Sequence, residues 1–156
     1  MSIQTKSKTI LVIEDELDMR LFLKVLLKTS GYLPVMVDNG RDGLEKARAQ
    51  APDLVLLDVM MPGQGGARTY RDLKSDPALG QIPVIMLSAV TRTTFFHYLK
   101  MLAAGRTVKI VEPEAYVEKP PDPRYLLNCI EKLIKSNVSD PVCVDEPVTD
   151  DGTDSL

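Results

Sequence analysis

Short apolar runs alternate with amphipathic segments along most of the chain. Continuous runs rich in β-branched and leucine residues, such as Thr9–Ile13 and Leu54–Leu57, are typical of strands that are buried on both faces of a parallel sheet. The segments between them carry apolar residues three and four positions apart, which predicts helices. The pattern predicts five strand–helix pairs, and therefore an open parallel α/β sheet with helices on both faces.

Turn and capping residues bound these predicted elements. Gly31 stands where a helix C-cap glycine is common, and Asp122-Pro123 combines a capping carboxylate with a proline at the first helical position. We expect strands at 9–13, 33–37, 54–57, 83–87 and 115–117, and helices at 18–29, 41–49, 67–74, 93–103 and from 123 onward. One apolar face of the first helix is predicted to contain Leu21, Phe22, Val25 and Leu26.

Length and composition limit the class of protein. The 156 residues suit a single domain with a normal globular balance, and a net charge of −3 disfavours a strongly basic nucleic-acid binder. No apolar run approaches the roughly 18 residues of a membrane span, and Met1–Lys8 lacks the apolar core of a signal peptide. Cys129 and Cys143 suit a reducing cytosol. We therefore expect a cytoplasmic protein without direct nucleic-acid binding or membrane insertion.

The charge is unevenly distributed along the chain. All 19 basic residues lie at or before Lys135, whereas 136–156 holds six acids and no base, so the two parts carry +3 and −6. The acidic part is also poor in large apolar groups and cannot bury enough surface to offset its ordering entropy. We predict a disordered N-terminus at 1–7, a folded domain at 8–135 and a disordered acidic tail at 136–156.

Polar residues follow four of the predicted strands. Glu14 and Asp15 come after the first strand, Asp58 after the third, Ser88 after the fourth and Lys119 shortly after the fifth. The carboxyl ends of parallel strands meet at one edge of the sheet, where such folds place their chemistry. Three clustered carboxylates repel one another unless a cation lies among them, and oxygen ligands suit Mg²⁺. A metal, a lysine and a hydroxyl around one carboxylate would stabilise a phosphoryl group on it.

Four segments of the chain resemble the receiver domain of response regulators, and the whole is similar to the single-domain chemotaxis regulators. They read LVIEDE at 11–16, DLVLLDVMMPG at 53–63, IPVIMLSA at 82–89 and YVEKP at 116–120. The resemblance covers nearly all of 8–135. It implies a flavodoxin-like sheet with strand order 2-1-3-4-5 and membership of a two-component system.

The resemblance also implies a role for each residue of the acidic cluster. Asp58 corresponds to the phosphoacceptor, which takes a phosphoryl group from a phosphohistidine on a sensor histidine kinase or a histidine phosphotransfer protein. Asp15, Asp58 and the main-chain carbonyl of Met60 correspond to Mg²⁺ ligands, and Glu14 acts through water.

The remaining matched residues correspond to the parts that sense the phosphoryl group. Ser88 is implied to move to the phosphoryl oxygens and Lys119 to be their counter-ion. Tyr116 corresponds to a switch aromatic that turns inward when Ser88 moves. Pro120 is implied to follow a cis peptide bond.

Two departures from the family pattern raise further hypotheses. The segment between Ser88 and Lys119 is longer than usual, with the excess around 105–114, and it is either a partner-selecting loop or a tolerated surface insertion. Met60 and Val90 each lie two residues beyond a site residue, and neither offers a group to orient an attacking water. We therefore expect slow self-dephosphorylation.

Several functional alternatives stay open at this stage. The leading hypothesis is a stand-alone phosphoacceptor switch that acts on an unknown downstream protein, since we expect no DNA-binding output domain after Lys135. A phosphorelay intermediate that serves a histidine phosphotransfer protein and a degenerate receiver that only binds are the alternatives. An aspartate-nucleophile phosphohydrolase would need a second acid where Met60 stands, so we expect no enzyme activity beyond the domain's own phosphotransfer and dephosphorylation. The acidic loop after the first strand disfavours a flavin or nucleotide site.

Three smaller interpretations concern individual positions. Gly63, Gly65 and Gly66 are interpreted as a flexible turn beside the pocket rather than a phosphate loop, because their spacing fits no such motif. The aromatic-type run Phe95–Tyr98 is predicted to be mainly helix core, with at least one side chain exposed. Cys129 is predicted to be in the core.

Overall fold

Five parallel strands and five helices form a flavodoxin-like α/β fold in the computed structural model, which describes residues 7–61, 65–104 and 112–135 and omits the side chains of 98, 99, 102 and 103. The strand order is 2-1-3-4-5, as predicted. The strands are β1 (Thr9–Ile13), β2 (Leu33–Val37), β3 (Leu54–Asp58), β4 (Val84–Ser88) and β5 (Ala115–Glu118). The helices are α1 (Leu17–Thr29), α2 (Gly40–Gln50), α3 (Gly66–Ser75), α4 (Arg92–Ala103) and α5 (Pro123–Lys135). The predicted disordered ends and most of the 105–114 insertion lie outside the described residues.

The central strands are buried on both faces, which explains their continuous apolar sequences. All five residues of β3 are buried, and β3 pairs with β1 on one side and β4 on the other. Successive side chains point to opposite faces of a strand, so the sheet separates two cores. Leu11 and Leu57 belong to the core shared with α2, α3 and α4, whereas Val12 and Leu56 belong to the core shared with α1 and α5.

The helix boundaries agree with the predictions to within one or two residues, and caps explain several of them. Asn39 Oδ1 accepts a hydrogen bond from the Asp42 N–H at 2.8 Å, which caps α2. Asp122 Oδ1 does the same for the Tyr125 N–H at the start of α5, also at 2.8 Å. Gly31 has a φ of +90°, the left-handed conformation that the sequence pattern predicted after α1.

The predicted apolar face of α1 is mostly exposed, and a second stripe of the helix is buried. Leu23 and Leu27 are fully buried, whereas Leu21, Phe22 and Val25 are exposed by 52%, 39% and 62%. Leu26 is the one member of the predicted face that packs against the core. The helix carries two apolar stripes, and only the one containing Leu23 and Leu27 faces the sheet. The predicted apolar face did not say which stripe is buried, because apolar spacing alone does not show which of two stripes is covered.

Two other interpretations of apolar positions are confirmed. Phe95 is fully buried, Phe96 is partly buried and His97 is exposed, which confirms that at least one side chain of the run is exposed; the Tyr98 side chain lies outside the described residues. Cys129 is fully buried on the apolar face of α5. Within the described residues, no helix is long and apolar enough to cross a membrane.

An ion pair between Lys74 and Glu114 joins α3 to the residue before β5. The Lys74 ammonium lies 2.6 Å from one Glu114 carboxylate oxygen, and it also donates to the Ile82 carbonyl oxygen at 3.1 Å. The other Glu114 oxygen accepts from the Val84 N–H at 2.8 Å. Glu114 therefore fixes the start of β5 to the start of β4.

Candidate functional site

The carboxyl ends of four strands bring the polar residues singled out in the sequence to one edge of the sheet. Glu14 follows β1, Asp58 ends β3 and Ser88 ends β4, and all three side chains are buried. Asp15 is partly buried next to Glu14. Lys119 follows β5, and its N–H donates to the Ser88 carbonyl oxygen at 2.9 Å. The fold thus assembles these five residues, although they are spread over more than 100 positions of the chain.

Three carboxylates form the centre of the site. Glu14, Asp15 and Asp58 each place one oxygen atom within 4.8 Å of the others. Among the described residues, Asp15 Oδ1 and Asp58 Oδ2 have no hydrogen-bond donor, and Glu14 Oε2 has only the ion pair with the Lys119 ammonium. Buried oxygens without donors are costly unless a cation satisfies them. The acidic triad is therefore of the kind that holds Mg²⁺, which prefers carboxylate oxygens.

The Lys119 ammonium is a partly buried positive charge in direct contact with two carboxylates of this triad. It lies 2.9 Å from Glu14 Oε2 and 3.3 Å from Asp58 Oδ1. Burial alone would lower the pKa of Lys119, but the hydrogen bond with Glu14 and the charge of Asp58 outweigh burial and raise it. Lys119 is therefore charged at neutral pH and faces the phosphoacceptor candidate directly. The Lys119–Pro120 peptide bond is cis.

The Asp58 carboxyl has a strongly perturbed pKa. Burial, the neighbouring Asp15 carboxyl and the charge of Glu14 raise the pKa of Asp58 to about 7. Lys119 and the Met60 N–H, which donates to Asp58 Oδ1 at 3.1 Å, oppose this effect by favouring the ionised form. Three carboxylates so close together cannot all be ionised cheaply without a further cation.

Ser88 and Tyr116 are connected through the main chain of Val90. Ser88 Oγ accepts a hydrogen bond from the Val90 N–H at 2.9 Å, and the Tyr116 hydroxyl donates to the Val90 carbonyl oxygen. The Tyr116 ring is buried, and its centroid lies 5.6 Å from that of Phe95 in α4. The structure thus has Tyr116 in the inward position, in contact with the loop that leads from the pocket into α4.

Gly66 has a role that the sequence interpretation missed. A Cβ atom at this position would lie 2.1 Å from the Asp58 carbonyl oxygen and 2.5 Å from the Val59 Cα atom. The Gly66 N–H also donates to the Val59 carbonyl oxygen at 3.0 Å. The interpretation of a flexible turn is wrong for Gly66, because it begins α3 and packs against the main chain of the phosphoacceptor candidate. Gly65 has open space around it, and Gly63 lies outside the described residues.

The main-chain N–H groups of Met60 and Val90 donate to the Asp58 and Ser88 side chains, which puts both residues next to the site. The Met60 side chain is 58% exposed, and Val90 is partly buried. Neither side chain has a group that can activate water.

Comparison with known proteins agrees with this geometry. The family model described as the response regulator receiver domain matches residues 10–131. The chain belongs to this family, and it is therefore a signalling domain of two-component systems rather than an enzyme that acts on a separate substrate.

Individual relatives are similar over nearly their whole length. The chain is 33% identical over 135 residues to the polar-differentiation response regulator DivK of Brucella anthropi, covering 85% of this chain and 98% of that protein. Among solved structures, the receiver domain of a signal transduction histidine kinase from Syntrophus aciditrophicus is 29% identical with a TM-score of 0.67, over 82% of this chain and 90% of that one. The receiver domain of the sensor histidine kinase PA1611 from Pseudomonas aeruginosa shares the fold, with a TM-score of 0.70 at 23% identity, over 84% of this chain and 100% of that one.

Proposed function

We propose that this protein is a stand-alone response regulator that accepts a phosphoryl group on Asp58 from the phosphohistidine of a sensor histidine kinase. The observation that carries the proposal is the position of the buried Asp58 carboxylate, between two other acids and 3.3 Å from the Lys119 ammonium. Membership of the receiver family and coverage of nearly all of the DivK relative support it. Residues 8–135 are the receiver unit in this proposal.

Mg²⁺ is the cofactor that the acidic triad fits. In the proposed site Asp15, Asp58 and the main-chain carbonyl of Met60 are ligands, and Glu14 contributes through water. The buried Asp15 Oδ1 and Asp58 Oδ2 atoms, which have no hydrogen-bond donor among the described residues, are the observation that supports this set. The solved Pseudomonas aeruginosa domain is described with a magnesium ion coordinated in its active site cleft. When bound, Mg²⁺ would offset the negative charge on the carboxylates and on the incoming phosphoryl group.

The protein's own residues then have distinct tasks in the transfer. An Asp58 carboxylate oxygen attacks the phosphorus, the phosphorus–nitrogen bond of phosphohistidine breaks, and the histidine nitrogen keeps the electron pair. Lys119 stabilises the charge on the phosphoryl oxygens. Ser88 would donate its hydroxyl hydrogen to one of those oxygens, which disturbs the hydrogen bond it accepts from Val90. Tyr116 and the start of α4 contact the same loop, so they would sense the change.

An exposed apolar patch on α1 is the proposed contact for the phosphodonor protein. Leu17, Leu21 and Val25 lie four positions apart, with Phe22 beside them, and all are exposed. The helix begins two residues after Asp15, so the patch extends away from the pocket that the donor histidine must reach. Contiguous exposed apolar side chains of this kind mark protein interaction sites.

A groove on α4 is the proposed contact for the downstream partner. Its volume is about 370 Å³, and it is lined by Arg92, Thr93, Phe96, His97, Lys100 and Glu112. Glu112 belongs to the 105–114 segment, so partner selection by that segment is consistent with the groove. Pull-downs with and without residues 106–113 test this part, and unchanged partner binding would contradict it.

Acetyl phosphate and Mg²⁺ test the central proposal. Incubation should add the mass of one phosphoryl group, and Asp58→Asn should abolish the addition. Transfer of the label onward to a histidine phosphotransfer protein would favour the phosphorelay intermediate. Absence of labelling by acetyl phosphate and by every kinase tried would favour a degenerate receiver that only binds.

A further inference from the structure

Arg20 of α1 contacts the main chain of the acidic loop. Its Nη1 atom donates to the Glu14 carbonyl oxygen at 2.9 Å and to the Asp15 carbonyl oxygen at 2.8 Å. These two residues supply two of the three carboxylates of the pocket, and neither the sequence interpretation nor the proposed function uses Arg20. A guanidinium that holds two successive carbonyls fixes the direction of the peptide units between them.

The junction between β1 and α1 has few other contacts among the described residues: the Glu16 N–H donates to Glu14 Oε1 at 3.3 Å, and the Lys119 ammonium pairs with the Glu14 carboxylate. Glu16 occupies the N-cap position of α1, but among the described residues its side chain makes no capping hydrogen bond. The Glu14 N–H is fixed by the Val37 carbonyl oxygen at 3.1 Å, which secures the strand side of the loop. On the helix side, Arg20 is the α1 side chain that donates to the main chain of the loop among the described residues.

We propose that Arg20 is a positioning residue that sets the spacing of the Glu14 and Asp15 carboxylates for Mg²⁺. The part of this inference that concerns Mg²⁺ rests on the proposed function. Groups that orient metal ligands typically change metal affinity by about 10–100-fold when they are removed. Arg20 acts through the main chain of the ligands and does not touch the metal itself.

Charge and position have opposite effects here, which makes the test decisive. The positive charge of Arg20 repels Mg²⁺. If charge alone mattered, removing it from beside the three carboxylates should therefore tighten Mg²⁺ binding. If Arg20 instead positions the Glu14 and Asp15 carboxylates, its removal should weaken Mg²⁺ binding. Lys24 lies one helical turn further along α1, is exposed, and serves as the matched charge control.

The experiment measures the Mg²⁺ dissociation constant of the full chain by isothermal titration calorimetry. We expect Arg20→Met to weaken binding about tenfold, and Arg20→Lys, which keeps the charge but lacks the planar group whose Nη1 atom donates to both carbonyls, to weaken it as well. Lys24→Met should stay within about twofold of the unmodified protein. Tighter or unchanged binding in Arg20→Met would overturn the inference, and so would equal weakening in Lys24→Met.

Two further measurements separate positioning from a merely structural role and from failure of the proposed function. With acetyl phosphate, Arg20→Met should raise the Mg²⁺ concentration that gives half-maximal labelling, while the maximal rate at saturating Mg²⁺ stays near that of the unmodified protein. If the unmodified protein binds no Mg²⁺, the test uses NMR of the metal-free protein. The measured quantities are then the ¹³C chemical shifts of the Glu14 and Asp15 side-chain carboxyl groups. Arg20→Met should move them and Lys24→Met should not, and unmoved shifts would overturn the inference.

Discussion

A Cβ atom on Gly66 would lie 2.1 Å from the main-chain carbonyl oxygen of Asp58. Neither atom can move freely, because Gly66 begins α3 and Asp58 ends the central strand β3. The absence of a side chain at position 66 is therefore a condition for the position of Asp58, the proposed phosphoacceptor.

Gly66→Ala should lower the free energy of unfolding by about 2–3 kcal/mol, because the new methyl group forces main-chain atoms apart. It should also slow labelling of Asp58 by acetyl phosphate. Gly65→Ala is the matched control, since a Cβ atom there meets nothing within 4 Å. Urea unfolding of both variants checks the prediction. Equal unfolding midpoints for the two variants would contradict it.

Asp58→Asn should stabilise the metal-free protein at neutral and higher pH. The folded-state pKa of Asp58 is raised from 3.8 to about 7, so the folded protein holds this proton more tightly than the unfolded chain between these values. Raising the pH through that window therefore lowers the stability of the unmodified protein, and the loss is complete above pH about 7. The stability of the Asp58→Asn variant does not fall in this way, because the asparagine amide does not titrate in this range.

Urea unfolding in the presence of a chelator, at several pH values from about 4.5 to 8, measures this difference. The variant should be more stable by about 1–3 kcal/mol at pH 8, and the advantage should shrink towards the acid end of the range. Saturating Mg²⁺ should reverse the order, because only the unmodified protein keeps the Asp58 ligand. A difference that does not depend on pH would contradict the assigned titration.

Leu21→Gln should impair phosphotransfer from a protein donor but not from a small molecule. Leu21 is 52% exposed on the α1 patch, so its replacement leaves the core intact and changes stability by less than about 0.5 kcal/mol. Transfer from a phosphorylated histidine kinase should be slower by about tenfold, while acetyl phosphate labels Asp58 at the usual rate. Leu33→Thr is the control, because Leu33 is equally exposed on β2 and lies outside the patch. Equal rates of phosphotransfer from the kinase to both variants would contradict the proposal that the α1 patch contacts the phosphodonor protein.

Phosphorylated Asp58 should persist for minutes or longer. The exposed Met60 side chain and Val90 offer no hydrogen-bonding group to an attacking water. Met60→Gln introduces such a group without adding charge, and it should shorten the lifetime several-fold by orienting water near the phosphoryl group. Loss of label after removal of acetyl phosphate measures the lifetime. A lifetime of seconds in the unmodified protein would contradict the prediction.

The sequence predicted the parts of the fold that depend on strand burial and chain order. The strand ends could be predicted because apolar runs stop at Glu14, Asp58 and Ser88. Parallel strands bring those ends together at one edge of the sheet. The exposed stripe of α1 was not predictable in the same way, since both stripes satisfy helical periodicity and only tertiary packing distinguishes them. The contacts of Gly66 and Arg20 with main-chain atoms also had no sequence signal, because a carbonyl oxygen is present at every position.

The Glu114 carboxylate, held by Lys74 and by the Val84 N–H, closes the connection between α4 and β5 at its far end. The cost of closing a longer loop grows only slowly, by about 0.6 kcal/mol for each doubling of its length. These contacts of Glu114 hold the start of β5 in place. Foreign sequence could therefore be inserted between Ala104 and Glu112 without shifting β5. The protein therefore offers a natural point for inserting a fluorescent reporter next to the groove on α4.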